Sequence, residues 1–140
     1  MGEDDRKMLL ARALHLFMPG KPQVWYLDLF AGKNDYEAVA RCGPGGHKEI
    51  NRTNLTMEQI EDGLQRPVVQ RQLELLKWRN QFPAFGFDTQ MEFLIPSPDL
   101  LQIIWQHNEY TACLEANLRT SAFSVTGKDP SGTECFAMRQ

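Results

Sequence analysis

Few side chains in this sequence stand where they could do chemistry, and the spacing of most argues against it. The three cysteines, Cys42, Cys113 and Cys135, are far apart. No CxxC pair is present to hold zinc or to cycle a disulfide, and the odd number reads as reduced thiols. Cys113 has no base beside it, so nothing supports a nucleophilic role. His15 lies among apolar neighbours and His107 beside a reversal; neither is spaced to join a second ligand, so no metal is expected. Gly43-Pro44-Gly45-Gly46 lacks the GxxxxGK[ST] pattern and reads as a flexible loop, not a phosphate cradle. His47, Glu49, Asn51 and Arg52 remain, gathered in one long connection. Arg52 taken alone reads as a surface or salt-bridged arginine. Its position in a long loop is what makes it a candidate.

The elements that would hold this loop can be read from the pattern around it. Residues 3–18 read as a helix, with Glu3, Asp4 and Asp5 at the end where the dipole favours negative charge. Met8, Leu9, Ala11, Leu14, Leu16, Phe17 and Met18 make a broad apolar surface, and Pro19-Gly20 stops it. Residues 22–30, apolar and aromatic almost throughout, predict a buried strand of the kind found in parallel sheets. Residues 31–55 predict a long connection with little regular structure, a feature often functional. Thr56-Met57-Glu58-Gln59 has capping-box spacing. Pro67 stands at a favourable first helical position, and Val69, Leu73 and Leu76 predict one apolar face of a helix ending near Phe82.

Beyond Pro83 the period falls to two. Met91, Phe93 and Ile95, then Leu101, Ile103 and Trp105, then Tyr110, Ala112, Leu114 and Ala116 alternate with other residues. Turns are expected at Pro96–Asp99 and at Asn108-Glu109. Residues 128–132 predict a last polar turn, and residues 134–138 a closing strand. Trp25, Trp78 and Trp105 lie on apolar patterns and read as core. The chain is thus α/β to about residue 83 and all-β after it. A single βα unit cannot bury both faces of its strand, so the first half reads as a piece of something larger.

The bulk figures fit an ordinary globular chain: 140 residues, 42% hydrophobic, 24% charged, net charge -3. The mild negative charge argues against a nucleic-acid binder. No apolar run approaches the roughly 20 residues of a membrane span. The acidic start, Met1 to Asp5, does not resemble a signal peptide, so a cytoplasmic location is expected.

Several segments resemble a known family. Leu16-Phe17-Met18-Pro19-Gly20-Lys21-Pro22-Gln23-Val24-Trp25-Tyr26 is similar to the stretch entering the last barrel strand of sucrose phosphorylases, enzymes of the α-amylase superfamily. Ala31-Gly32-Lys33-Asn34-Asp35 resembles their AGKND stretch and Glu49-Ile50-Asn51-Arg52 their DINR motif. Arg66-Pro67-Val68-Val69 and Lys77-Trp78-Arg79-Asn80 resemble RPVV and KFRN segments of the final helix. The matches fall in family order over residues 3–82, and the β-rich tail matches in type.

The resemblance implies an α+β fragment: the last βα portion of a (β/α)8 barrel over residues 1–83, then a small antiparallel β domain over 84–140. Residues 3–18 would be the seventh barrel helix, 22–30 the eighth strand and 67–82 the eighth helix. The loop would lie on the C-terminal face, where barrel active sites sit. The resemblance also implies retaining glucosyl transfer, from sucrose or a related glucoside to phosphate, through a covalent glucosyl-enzyme. The family's catalytic carboxylates fall before residue 1, so no catalytic residue, cofactor or metal is assigned to this chain. It implies that Arg52 holds the glucosyl unit, because a planar guanidinium suits vicinal hydroxyls and a carboxylate. Glu49 and Asn51 would order the loop, and His47 lies beside them. Where family members read GRDINRHYY, this chain reads Gly46-His47-Lys48-Glu49-Ile50-Asn51-Arg52-Thr53-Asn54-Leu55. The lost aromatic pair points away from fructose toward another glucoside, with glucosylglycerate the candidate.

The expected partners are therefore an α-glucoside and inorganic phosphate in the complete enzyme, with no nucleic acid and no membrane. The chain alone is expected to be inert. A rival reading is a non-catalytic self-association or binding module, using apolar faces that a barrel would bury. A third is pairing with a separate N-terminal barrel portion.

Overall fold

The computed structural model describes residues 3–140. Met1 and Gly2, part of the acidic start, lie outside them. The chain is α+β, with helices up to residue 85 and strands from residue 90.

Helix α1, Asp5–Phe17, starts where the acidic run predicts. Asp4 is its N-cap, accepting from the backbone N–H groups of Arg6 at 2.9 Å and Lys7 at 3.2 Å. That satisfies two of the donors a helix start leaves open. Leu9, Leu10, Ala13, Leu16 and Phe17 are buried, and with them Arg12.

The predicted strand over residues 22–30 does not form. Residues 21–25 carry no regular structure, and Tyr26–Leu29 is a helical turn, α2. The physical reason lies in its hydrogen bonds. Four residues do not hold a helix unaided, but α2 finds acceptors and donors elsewhere. Gln72 donates Nε2 to the Leu29 carbonyl at 3.0 Å. Arg66 donates to the carbonyls of Phe30 at 3.1 Å and Ala31 at 3.0 Å. The Gly32 N–H closes back on the Leu27 carbonyl at 2.8 Å. A strand would need a ladder partner, and among the described residues the only sheet is the one formed after residue 90.

The expected unstructured connection also holds more order than predicted. It contains helix α3, Tyr36–Cys42, and a 3₁₀ segment over Gly46–Asn51. The capping box at Thr56 is present and opens α4, Met57–Gln65. Helix α5, Pro67–Gln81, has Pro67 in its first turn. Its buried side chains are Val68, Val69, Gln72 and Leu75, whereas Leu73, expected on the core face, is 37% exposed. An apolar count passes over Gln72, yet this glutamine is fully buried and shifts the buried stripe around the helix.

Five strands follow: β1 Gln90–Ser97, β2 Leu100–His107, β3 Tyr110–Asn117, β4 Phe123–Lys128 and β5 Glu134–Arg139. They pair antiparallel in chain order. Asn108 and Glu109 take positive φ, 46° and 65°, as the tight β2–β3 reversal requires. Strand β4 is the one not foreseen, although Phe123, Val125 and Gly127 alternate onto its buried face. One face of the sheet packs on α1, α5 and a 3₁₀ turn at Pro83–Phe85 to make a single core. Trp105 and Trp78 belong to it as expected, but Trp25 does not, at 47% exposed.

Two joints hold helices to sheet. Trp78 stacks on Phe136 at 4.3 Å and on Phe82 at 5.0 Å. Arg79 lies over the Phe85 ring at 4.1 Å and donates Nε to the Leu16 carbonyl at 2.9 Å, tying down the end of α1. Burial lowers the Arg79 pKa from arginine's usual value.

Candidate functional site

The Arg52 turn is built from the glycine-rich stretch upward. Gly45 takes φ 90°, a left-handed conformation that glycine adopts at little cost. At Gly46 a Cβ would stand 2.6 Å from the Val39 carbonyl oxygen, so only glycine lets the 3₁₀ segment close against α3. Gly43 to Gly46 is thus a tight reversal that docks the candidate residues on a helix, a more specific role than a flexible loop.

The 3₁₀ turn brings together three of the four predicted residues. Arg52 Nη1 donates to Glu49 Oε1 at 3.0 Å, and Asn51 lies between them. His47 sits exposed at the start of the same turn, with no hydrogen bond to the other three. The Arg52 side chain is 54% exposed and that of Glu49 35%. A pair this open contributes little stability, at most about 1 kcal/mol. It leaves most of the guanidinium donors facing outward and free for a ligand.

Two aromatic residues that sequence reasoning did not assign to the site hold the backbone on either side of Arg52. Trp25 donates its indole N–H to the Asn51 carbonyl at 2.8 Å. Tyr26 donates its hydroxyl to the Thr53 carbonyl at 2.7 Å. The Asp35 N–H reaches the Ile50 carbonyl at 2.8 Å. The adjacent aromatics Trp25-Tyr26 were the available signal, but a strand reading placed both in a core. Replacing Tyr26 with phenylalanine removes its donor and little else, and replacing Trp25 removes its donor with part of the ring that packs on Tyr26. Amide hydrogen exchange around residues 51–53 is expected to quicken about 5-fold for each, as the loss of roughly 1 kcal/mol per hydrogen bond predicts. Unchanged exchange would show that the clamp does not hold the turn.

Beside the turn, a cavity of about 740 Å³ runs between α1, α2 and α4, with Leu27, Phe30, Thr53, Leu55 and Gly63 among its lining residues. None of His47, Glu49, Asn51 and Arg52 lines it. Its carboxylates are engaged or open: Asp4 caps α1, Asp5 pairs with Arg66 at 3.6 Å, and Glu3, Asp28 and Asp62 are exposed. Behind it lies a buried polar network. Arg12 Nε donates to Gln72 Oε1 at 2.9 Å, and Arg12 Nη1 meets His15 Nδ1 at 3.0 Å. Burial lowers the Arg12 pKa, and Asp28 nearby pulls it back up. Burial also raises the Cys113 thiol pKa, which does not suit a nucleophile. Among the described residues no cluster of His, Cys, Asp and Glu could hold a metal, and no helix is long and apolar enough to cross a membrane.

Helices carrying an exposed, clamped arginine on one side and a five-stranded meander on the other match the C-terminal region of sucrose-phosphorylase-like proteins. No protein-family model matches the chain. It is 51% identical over 135 residues to the sucrose 6(F)-phosphate phosphorylase of Ilumatobacter coccineus, covering 96% of this chain and 25% of that one. It is 37% identical over 127 residues to the glucosylglycerol phosphorylase of Marinobacter adhaerens, covering 91% of this chain and 26% of that one. The crystal structure of sucrose 6F-phosphate phosphorylase from Thermoanaerobacter thermosaccharolyticum superimposes with a TM-score of 0.85 at 34% identity. That match covers 98% of this chain and 27% of that one. The chain belongs with the sucrose-phosphorylase-like enzymes, corresponds to their C-terminal part, and spans about a quarter of the length of these relatives.

Proposed function

We propose that this chain serves as the C-terminal part of a retaining α-glucoside phosphorylase and does not turn over a glucoside by itself. Residues 1–83 would close a (β/α)8 barrel, and residues 84–140 would form the appended β domain. The observation that carries this reading is the continuous match to a sucrose 6(F)-phosphate phosphorylase over nearly the whole chain, spanning only a quarter of that enzyme. In retaining chemistry one carboxylate attacks the anomeric carbon as a carboxylic acid protonates the leaving oxygen. Phosphate then takes the glucosyl group and the carboxylate is freed. Neither carboxylate is assigned to this chain. Its contribution is Arg52, whose outward donors would bind sugar hydroxyls and hold the glucosyl unit against the nucleophile. Glu49 orients the guanidinium, Asn51 joins the clamp through its carbonyl, and His47 stands at the rim.

The names of the relatives rank the substrates to try. Sucrose 6(F)-phosphate comes first, then sucrose and glucosylglycerol, with glucosylglycerate from the altered Arg52 loop. The enzyme to test is a chimera in which this chain replaces the matched C-terminal part of the Ilumatobacter coccineus phosphorylase. Arg52→Lys keeps the charge and loses the planar fork. It is expected to lower kcat/KM about 100-fold, a loss of about 3 kcal/mol of transition-state stabilisation. A variant within 2-fold of the parent would remove Arg52 from the site.

The competing reading, a non-catalytic self-association module, draws on the exposed Phe93 and Ile95 of β1. Sedimentation of the 140-residue chain separates the two readings. A stable dimer that binds no glucoside favours the module.

A further inference from the structure

One face of the sheet is covered unevenly, and the pairing register shows where the cover stops. Phe93, Ile103, Leu114, Val125 and Met138 form a single row across all five strands. Their exposures along that row are 50%, 0%, 0%, 0% and 5%. Ile95, two residues further along β1 in the stretch where the register breaks, is 74% exposed. The row points at the helices, yet its first member stands in the open.

Element widths explain this. Strands lie about 4.8 Å apart and a helix with its side chains is about 10 Å across, so one helix covers about two strands. Helix α5 lies on β4 and β5, where Arg71 donates to the Arg139 carbonyl at 2.6 Å and Trp78 stacks on Phe136. Helix α1 reaches β2, where the Phe17 carbonyl accepts from the Trp105 indole at 2.8 Å. The 3₁₀ turn at Pro83–Phe85 fills in over β2, where Phe85 meets Trp105 at 5.3 Å, and no helix lies over Phe93 on β1.

The edge of β1 is poorly suited to a strand from a second copy. Pro96 lies within β1 and removes a ladder donor, and the register breaks between Leu94 and Ser97. The inward face, by contrast, offers Phe93 with Leu101 half-buried nearby, and Ile95 stands exposed at the end of it. That is the apolar surface against which an amphipathic helix packs. The relatives carry about three quarters of their length outside the matched region, so a source for such a helix exists in them.

We propose that Phe93 and Ile95 seat a third helix, amphipathic, parallel in layer to α1 and α5, and supplied by the part of the complete phosphorylase that precedes the matched region. The proposal rests on the reading that this chain works as the C-terminal part of such an enzyme.

The test uses the chimera with p-benzoylphenylalanine in place of Ile95. After irradiation, cross-links should fall within one molecule, on residues three or four apart along a single segment of the preceding part. The same group in place of Glu92, on the opposite face, should give none there. Cross-links only between molecules, or none above the Glu92 control, would overturn the proposal. A second measurement uses Phe93→Asp with Ile95→Lys. The isolated chain should keep its melting temperature within about 5 °C, because both positions are at least half exposed there. The chimera should lose well over that; equal small shifts in both would also overturn the seat. The cross-link is read whether or not the chimera turns over substrate. An inactive chimera with the cross-link keeps the helix seat and removes the functional reading, and an active chimera without it does the reverse.

Discussion

Gly127→Val is expected to lower the melting temperature of this chain by roughly 10 °C, from a loss of about 3 kcal/mol. Gly127 lies in β4 opposite Ala112 and Phe136, beneath the most crowded ring of the core. A Cβ there would stand 2.8 Å from Trp78 Cζ2 and 3.1 Å from Phe82 Cζ. Neither ring can retreat, because Trp78 is stacked between Phe82 and Phe136 and meets Phe85 edge-on at 5.1 Å. Valine would force α5 away from the sheet or displace β4. Gly127→Ala, which adds the Cβ alone, should cost less and fall between the two. A valine variant melting with the parent would show that the aromatic stack is loose enough to shift.

Gln72→Ala should be of similar size, about 3 kcal/mol, for a different reason. Gln72 is fully buried and joins three elements: it accepts from Arg12 of α1, it lies on α5, and it donates to the Leu29 carbonyl closing α2. Alanine leaves a buried guanidinium N–H and a carbonyl without partners, and a buried donor on a charged group left unsatisfied is among the costlier single defects. Gln72→Glu is the discriminating companion. It restores an acceptor for Arg12 but removes the donor to Leu29, so the sheet and α1 should keep their melting transition better than in the alanine variant. Equal losses for alanine and glutamate would assign the stabilisation to the α2 carbonyl, and no loss for alanine would dismiss the network. Thermal unfolding followed by far-ultraviolet circular dichroism reads both.

Period-two alternation from Met91 to Ala116 located three strands, although only β2 and β3 bury one face. The acidic start and Pro67 located the two long helices because caps and first-turn proline act locally. Residues 22–30 misled for a non-local reason. An apolar, aromatic run states that it wants burial but does not state what pairs with its backbone. Here Gln72 and Arg66, about forty residues on, take the carbonyls of residues 28–31 and leave a helical turn. The same long reach hid the Arg52 clamp: Trp25 and Tyr26 read as core, yet their polar tips bond to backbone beyond residue 50. Arg52 itself was legible only through a motif shared with a family, since a lone exposed arginine carries no signal of its own. Nothing in the alternation of β1 showed that Phe93 would stand half exposed, because alternation names a face and not what lies over it.

The most direct test of the account is phosphorolysis of sucrose 6(F)-phosphate, read as release of glucose 1-phosphate. The 140-residue chain would be assayed at high concentration beside the chimera carrying it on the Ilumatobacter coccineus phosphorylase. The account predicts steady turnover by the chimera and none by the chain alone. Turnover by the chain alone would contradict it, since catalytic carboxylates would then have to lie among these residues. A folded chimera with no activity would contradict it from the other side, by showing that this chain does not complete the enzyme.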